Sequence, residues 1–308
     1  MAKNIRKFKF YIMVFFLLSA GCSPGKDSWN EYANGGLYPQ DPPNFSPDGL
    51  HIVFSSPRTG HGDIVRASYD GSNCARLTKT NDYEGRPIYS PTGKSIAYMR
   101  ETSGYSHVWI MSENGLNQIQ LTSGRVIDNL VGFSKDAQFV FFSREKPTIG
   151  LAATYDLYSV SINGGEPVLS KMDLSELRSS ALHDATPKGK ISVEAIQTNE
   201  LGYSDIYIKE EISDTKRLLR SNAHSPVISH DGKSVYFLTS PASREFGVVK
   251  TNESGGQIFP LPSGYKTVPE ISPDGKRIAI GVFKTGSNYP TPFIINLSNF
   301  TFIEIICD

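Results

Sequence analysis

Short apolar runs, each closed by a turn built from Ser, Pro, Asp and Gly, return along this chain at a nearly constant interval. The turns are Phe45-Ser46-Pro47-Asp48-Gly49, Tyr89-Ser90-Pro91-Thr92-Gly93, Phe133-Ser134-Lys135-Asp136-Ala137, Thr186-Pro187-Lys188-Gly189-Lys190, Ile228-Ser229-His230-Asp231-Gly232 and Ile271-Ser272-Pro273-Asp274-Gly275. Successive Ser or Thr positions lie 44, 44, 52, 43 and 43 residues apart. A period in the forties that carries strand chemistry predicts propeller blades.

Each block repeats an internal order. An apolar strand follows the turn, as in His51-Ile52-Val53-Phe54 and Ser234-Val235-Tyr236-Phe237, and a third strand follows a Gly- or Ser-rich loop, as in Asp63-Ile64-Val65 and Asp205-Ile206-Tyr207-Ile208. Asp70-Gly71, Asn114-Gly115 or Ser254-Gly255-Gly256 then turns the chain into a fourth strand such as Ile119-Gln120-Leu121-Thr122. Val, Ile, Tyr and Phe suit a pleated, half-buried surface, while Asp-Gly and Asn-Gly supply the positive φ that tight hairpins need. A lone four-stranded sheet cannot hide both faces, so the blades must stack around a ring. The expected fold is all-β, a six-bladed propeller of four-stranded antiparallel blades over residues 41–308.

The Phe-Ser-Pro-Asp-Gly turn, the Asp-Ile-Tyr type of third strand and the Gly-Gly or Asp-Gly turn before Leu-Thr resemble the WD40-like repeat of the TolB family, which implies a six-bladed propeller. TolB proper has a smaller α/β domain before its propeller, whereas about 18 residues separate Cys22 from the first blade here. The resemblance is therefore to a TolB-like protein rather than to TolB itself.

Composition places the chain among folded globular proteins: 308 residues, 39% hydrophobic, 20% charged, with 15 Tyr and 17 Phe. Formal charge is zero overall, but four of the 31 basic residues, Lys3, Arg6, Lys7 and Lys9, precede Cys22, so the remainder is mildly acidic. That balance argues against a nucleic-acid partner, which would ask for a basic face.

Met1 to Lys9 is basic, Phe10 to Leu18 is continuously apolar, and Ser19-Ala20-Gly21-Cys22 ends in cysteine, the layout of an export signal. The apolar run is too short to span a bilayer, which takes about 20 residues. It resembles a bacterial lipoprotein signal over residues 1–21, which implies a lipidated Cys22; plain secretion with an unmodified Cys22 is the alternative. Ser23 after the cysteine implies, by the same resemblance, the outer membrane. Residues 22–40 read as a flexible tether, with Trp29 and Tyr32 expected to cover an edge of the first or last blade. The first and last blocks both hold four strands, so ring closure should need no strand exchange unless Leu37-Tyr38 joins blade six. Cys74 and Cys307 occupy different repeat positions, and two unbridged, part-buried thiols are expected of them.

No nucleophile elbow, zinc helix, phosphate loop or Cys-x-x-Cys pair occurs. Loops entering the first strands and loops joining second to third strands should share one face of the ring, around the channel mouth. His61, Glu84, Arg86, His107, Asp128, His183, His224 and Lys266 are the candidate ligand-binding residues there. Asp63, His107, Asp156 and Asp205 recur at one repeat position, which favours a turn or blade-to-blade hydrogen bond for them. Residues 146–154 form an insertion, and Met172 to Arg178 has the spacing of a short helix.

The expectation is a non-enzymatic, lipid-anchored monomer in the cell envelope that binds a protein or peptide, with no cofactor. The alternative is a metal-dependent carbohydrate-active enzyme, because similar propellers occur in oligogalacturonate lyases with histidine-bound metal in the channel.

Overall fold

The computed structural model describes residues 42–56, 62–146, 155–171, 191–198, 204–210, 215–239, 245–262, 264–284 and 290–307. Six separate sheets form, one per sequence block, and neighbouring strands in each are antiparallel. Blade one holds β1 (Asn44–Phe45), β2 (His51–Ser56), β3 (Asp63–Ser68) and β4 (Ala75–Arg76). Blade two holds β5 (Tyr83–Tyr89), β6 (Ser95–Thr102), β7 (Tyr105–Ser112) and β8 (Ile119–Gln120). Blade three follows with β9 (Asp128–Phe133), β10 (Phe139–Glu145), β11 (Tyr155–Ser161) and β12 (Val168–Leu169). Blade four shows three strands among the described residues, β13 (Ile191–Gln197), β14 (Ser204–Glu210) and β15 (Lys216–Arg220). Blade five holds β16 (Ala223–Ile228), β17 (Ser234–Thr239), β18 (Phe246–Lys250) and β19 (Gln257–Phe259). In blade six, β20 (Tyr265–Lys266) and β21 (Glu270–Ile271) both pair with β22 (Arg277–Phe283), followed by β23 (Thr291–Asn296) and β24 (Phe302–Glu304). The chain is thus an all-β, six-bladed propeller.

The recurring turn is held by its own side chains. The Ser46 hydroxyl donates to Asp48 and accepts the His51 N–H at 2.9 Å; Ser229 repeats this with Asp231 and Ser234, and Ser272 with Asp274 and Arg277. The fourth turn residue must adopt positive φ, which Gly49, Gly232 and Gly275 do at 70°, 70° and 68°. Ala137 holds the same place in blade three at φ 57°. The Thr186 turn, the insertion after Lys146 and the expected helix from Met172 to Arg178 lie outside the described residues.

Blade faces are apolar and seal against each other. Tyr98, Ile96 and Met111 of blade two meet Val53, Ile64 and Leu77 of blade one; Phe142 and Val140 of blade three meet Met99 and Val108 of blade two. Phe237 and Val235 of blade five meet Ile206 and Val193 of blade four, and Ile278 and Phe293 of blade six meet Leu238 and Phe246 of blade five. Fourth strands are short and exposed, as β8 and β12 show, whereas β5, β9 and β16 are largely buried. First strands are therefore innermost and fourth strands form the outer rim.

Among the described residues, blades one and six exchange no strand. Their seam is packed by Phe45, Ile52 and Val65 against Ala279, Ile294 and Ile305. On the channel side, Asn44 Nδ2 donates to both Glu270 carboxylate oxygens at 2.9 and 3.0 Å, and the Phe45 N–H donates to Glu270 at 2.9 Å. Asn44 Oδ1 in turn accepts the Tyr89 N–H at 2.7 Å, so one amide ties blades six, one and two. On the rim side, Cys74 and Cys307 form a disulfide with Cα atoms 5.6 Å apart. This corrects the expectation of two unbridged thiols. Cys74 precedes the outer strand of blade one and Cys307 follows that of blade six, and ring curvature makes those non-equivalent positions neighbours.

Burial pushes the Glu270 carboxyl up to about 7, although the Phe45 N–H and Asn44 favour its charged form. A carboxyl raised in the folded state binds more protons there than in the unfolded chain, so its contribution is complete below its ordinary value of 4.5 and is lost as pH rises through about 7. Thermal melting should fall between pH 5 and pH 8 by the equivalent of about 2 kcal/mol, less than for a dry site because Glu270 keeps partial contact with solvent. Glu270→Gln should flatten that part of the profile; an unchanged slope in the variant would assign it to another group. The turn carboxylates Asp136 and Asp231 are held below their ordinary range by Ser134 and Ser229, so they titrate at lower pH, outside this window.

Candidate functional site

Strand direction puts the starts of first strands, the ends of second strands and the starts of third strands on one face of the ring. In blade two, Glu84 on β5 lies opposite Arg100 on β6, which lies opposite His107 on β7. In blade three, Asp128, Arg144 and Asp156 take the same places on β9, β10 and β11. Directly opposed residues share a sheet face, so blades two and three each carry a row of polar and charged side chains at the mouth.

Both first-strand acids are fully buried and both are paired. Arg100 Nε meets Glu84 Oε1 at 2.8 Å, and Arg144 grips both Asp128 oxygens at 2.6 and 2.9 Å. Arg100 also stacks over Trp109 with its guanidinium carbon 4.0 Å from the ring centre, and Arg144 lies over Phe142 and Tyr158 at 5.4 and 5.2 Å. The hydroxyls of Thr80 and Thr78 donate to Glu84, and the Thr78 hydroxyl accepts the Ile64 N–H at 2.8 Å, fastening blade two to blade one. Burial raises the Glu84 carboxyl above its ordinary range; Thr80, Arg100 and Thr78 offset part of that, and nearby Asp63 adds to it. The Asp128 hydrogen bond raises the Arg144 guanidinium still higher, so it stays charged at every working pH.

The third-strand residues act as fasteners. Asp63 pairs with Arg76 at 2.7 Å, Asp156 with Lys146 at 2.7 Å, and Asp205 accepts the Asn222 N–H at 3.0 Å. His107 Nε2 lies 2.8 Å from the Gly124 carbonyl oxygen. These contacts tie the second, third and fourth strands and the loops beyond them.

Arg86 sits at an irregularity in β5, where pairing with β6 skips from Gly85 to Ile88, and its φ is 51°. Ser225, beside His224 in β16, repeats both features, with pairing skipping from His224 to Val227 and φ 51°. Each residue precedes a proline, and each bulge re-aims the inner strand at the mouth. His224 Nδ1 lies 3.0 Å from Ser225 Oγ, and buried Lys266 donates to the Gly264 carbonyl at 3.1 Å. The structure therefore places Glu84, Arg86, His107, Asp128, His224 and Lys266 on one face across four blades. His61, His183 and Cys22 lie outside the described residues. No three His, Cys, Asp or Glu side chains among the described residues come together in a manner that could hold a metal ion.

Sequence reasoning missed Arg100 and Arg144, the ion-pair partners of Glu84 and Asp128. Their signal was present: Glu84 and Asp128, Arg100 and Arg144, and Thr78 and Thr122 are each one 44-residue period apart. The Asn44 and Glu270 clasp was also missed; both immediately precede the residue before the turn serine, where Ile88, Gly132 and Val227 stand in other blades.

A family described as the TolB beta propeller domain matches residues 39–179. A Protein TolB homolog from Chlorobaculum tepidum is 37% identical over 62 residues, 20% of this chain and 14% of that protein. The Tol-Pal system protein TolB of Anaeromyxobacter sp. (strain K) is 36% identical over 86 residues, 28% of this chain and 20% of that protein. The matched part thus spans only a small share of these relatives' length. The crystal structure of TolB from Acinetobacter baumannii superposes with a TM-score of 0.53 at 17% identity, covering 84% of this chain and 64% of that one.

Proposed function

Taking this chain as a TolB-like propeller repeat protein, we propose that it is a non-enzymatic binding scaffold of the bacterial cell envelope, held at the outer membrane by an acylated Cys22. The mouth of its channel holds a protein or peptide partner, and Glu84, Arg86, His107, Asp128, His224 and Lys266 line that mouth. The observation that carries this reading is how charge is used there. The buried acids Glu84 and Asp128 are each neutralised by an arginine of their own blade, so they stiffen the frame. Half-buried Tyr83, Tyr105, Tyr155, His107 and His224 remain around them as contact surface. Aromatic rims of this kind suit protein recognition.

Two further observations support the setting. The Cys74–Cys307 bridge is of a kind that persists in oxidising compartments, which agrees with the export signal read at residues 1–21. One relative is by name a Tol-Pal system protein, a setting in the bacterial envelope.

The test is cross-linking in native membranes followed by purification, with wild-type protein and the His107→Ala, His224→Ala double variant. One envelope protein should be recovered in equal amount with the wild type and at least ten-fold less with the variant, both compared well below their melting temperatures. Equal recovery by the variant would overturn the mouth as the binding face. Metal-dependent turnover of an acidic oligosaccharide would overturn the scaffold reading as a whole. Intact mass of the membrane-extracted chain should show acyl chains on Cys22, lost in Cys22→Ala.

A further inference from the structure

We propose that the seam between blades one and six is a redox-gated joint, closed as a ring by the Cys74–Cys307 disulfide and loosened when that bond is reduced. Every other pair of neighbouring blades is joined by the chain itself, because the blades follow one another in sequence. The seam between first and last blades has no backbone link, and among the described residues it has no exchanged strand. The disulfide, whose two cysteines have a sequence separation of 233, is the covalent bond that crosses it.

The two sulfurs differ in access. Cys74 is exposed, whereas Cys307 is 6% exposed and belongs to the apolar packing of the seam with Ile294 and Ile305. A dithiol reductant therefore attacks at Cys74. Its thiolate forms a mixed disulfide with Cys74 Sγ as the Cys74–Cys307 bond breaks, and Cys307 leaves as a thiolate that takes a proton. The second thiol of the reductant then attacks the mixed disulfide, releasing Cys74 as a thiol and leaving the reductant as a cyclic disulfide. Two electrons pass from the dithiol to the protein bridge.

Blade one keeps its own turn without the bridge. Asp70 accepts the Ser72 N–H at 2.9 Å and Asn73 Nδ2 donates to Ser68 Oγ at 3.1 Å, so the loop that carries Cys74 is ordered by local bonds. After reduction the seam retains the Asn44–Glu270 clasp on the channel side, its apolar packing, and Arg277 stacked 3.8 Å from the Tyr69 ring centre. These are non-covalent contacts that can part and re-form, and the rim side opens first because the clasp lies on the opposite side of the seam.

Hydrogen exchange read by mass spectrometry on the full chain, before and after adding dithiothreitol without denaturant, tests this. Reduction of the folded protein should expose two thiols to alkylation. Exchange in residues 44–76 and 265–307 should then rise at least ten-fold, residues 95–112 and 139–145 should stay protected, and reoxidation should reverse the change. A Cys74→Ser, Cys307→Ser variant should show the loosened pattern without reductant. A bond that resists dithiothreitol until the whole ring unfolds, an unchanged seam after reduction, or a rise spread evenly over all blades would each overturn the proposal. Because reduction is carried out on protein already folded, the result does not depend on the double variant folding.

Discussion

Arg144→Ala is expected to destabilise the propeller by about 3–5 kcal/mol, the usual cost of stranding one member of a buried ion pair. Asp128 is 0% exposed and Arg144 holds both of its oxygens. Without the guanidinium, a carboxylate at the inner edge of blade three must stay charged in a dry site or take up a proton. The variant also removes a cation from above Phe142 and Tyr158, whose rings stack with centres 5.7 Å apart. Urea unfolding at pH 7 measures the cost. Asp128→Asn in the same background should restore a large part of it, since the stranded charge is then gone; a double variant no more stable than Arg144→Ala would show that the guanidinium acts by packing alone.

A loss of similar size is expected from Phe237→Ala, about 3–5 kcal/mol for a fully buried aromatic. Phe237 on β17 lies directly across from Gly247 on β18. A Cβ at Gly247 would stand 2.4 Å from two carbons of the Phe237 ring, so the ring occupies the place of the missing side chain. Gly247→Val should therefore cost about 1–3 kcal/mol or more by overpacking. Combining the two substitutions should recover part of the loss, because the valine then fills space the ring has vacated, with a coupling of about 0.5–3 kcal/mol. Strictly additive costs in denaturant titrations of the three variants would show that ring and glycine do not share that space.

Much of the mouth was legible because it repeats. Glu84 and Asp128 fall one period apart at the start of first strands, and a period reports equivalent places in successive blades. Their function as paired, structural charge was not legible, since a repeat position says where a side chain starts and not what lies across the strand pair. Arg100 and Arg144 recur just as regularly, yet only the cross-strand register shows each facing its acid. The bulges at Arg86 and Ser225 were hidden for a related reason. The prolines that follow them mark a break in pairing, but the positive φ that results depends on how the inner strand meets the second strand.

The sequence by itself determined the number of blades, the sites of the Ser-Asp turns and the all-β class, because strand alternation and turn chemistry act over a few residues and need no distant partner. Only the tertiary structure decided how the ring closes. Asn44 meets Glu270, and Cys74 meets Cys307, across the whole length of the repeat, and which residues meet there is set by the rotation accumulated over six blades. No local pattern encodes that sum, so two cysteines at different repeat positions read as unrelated until the ring brought them together.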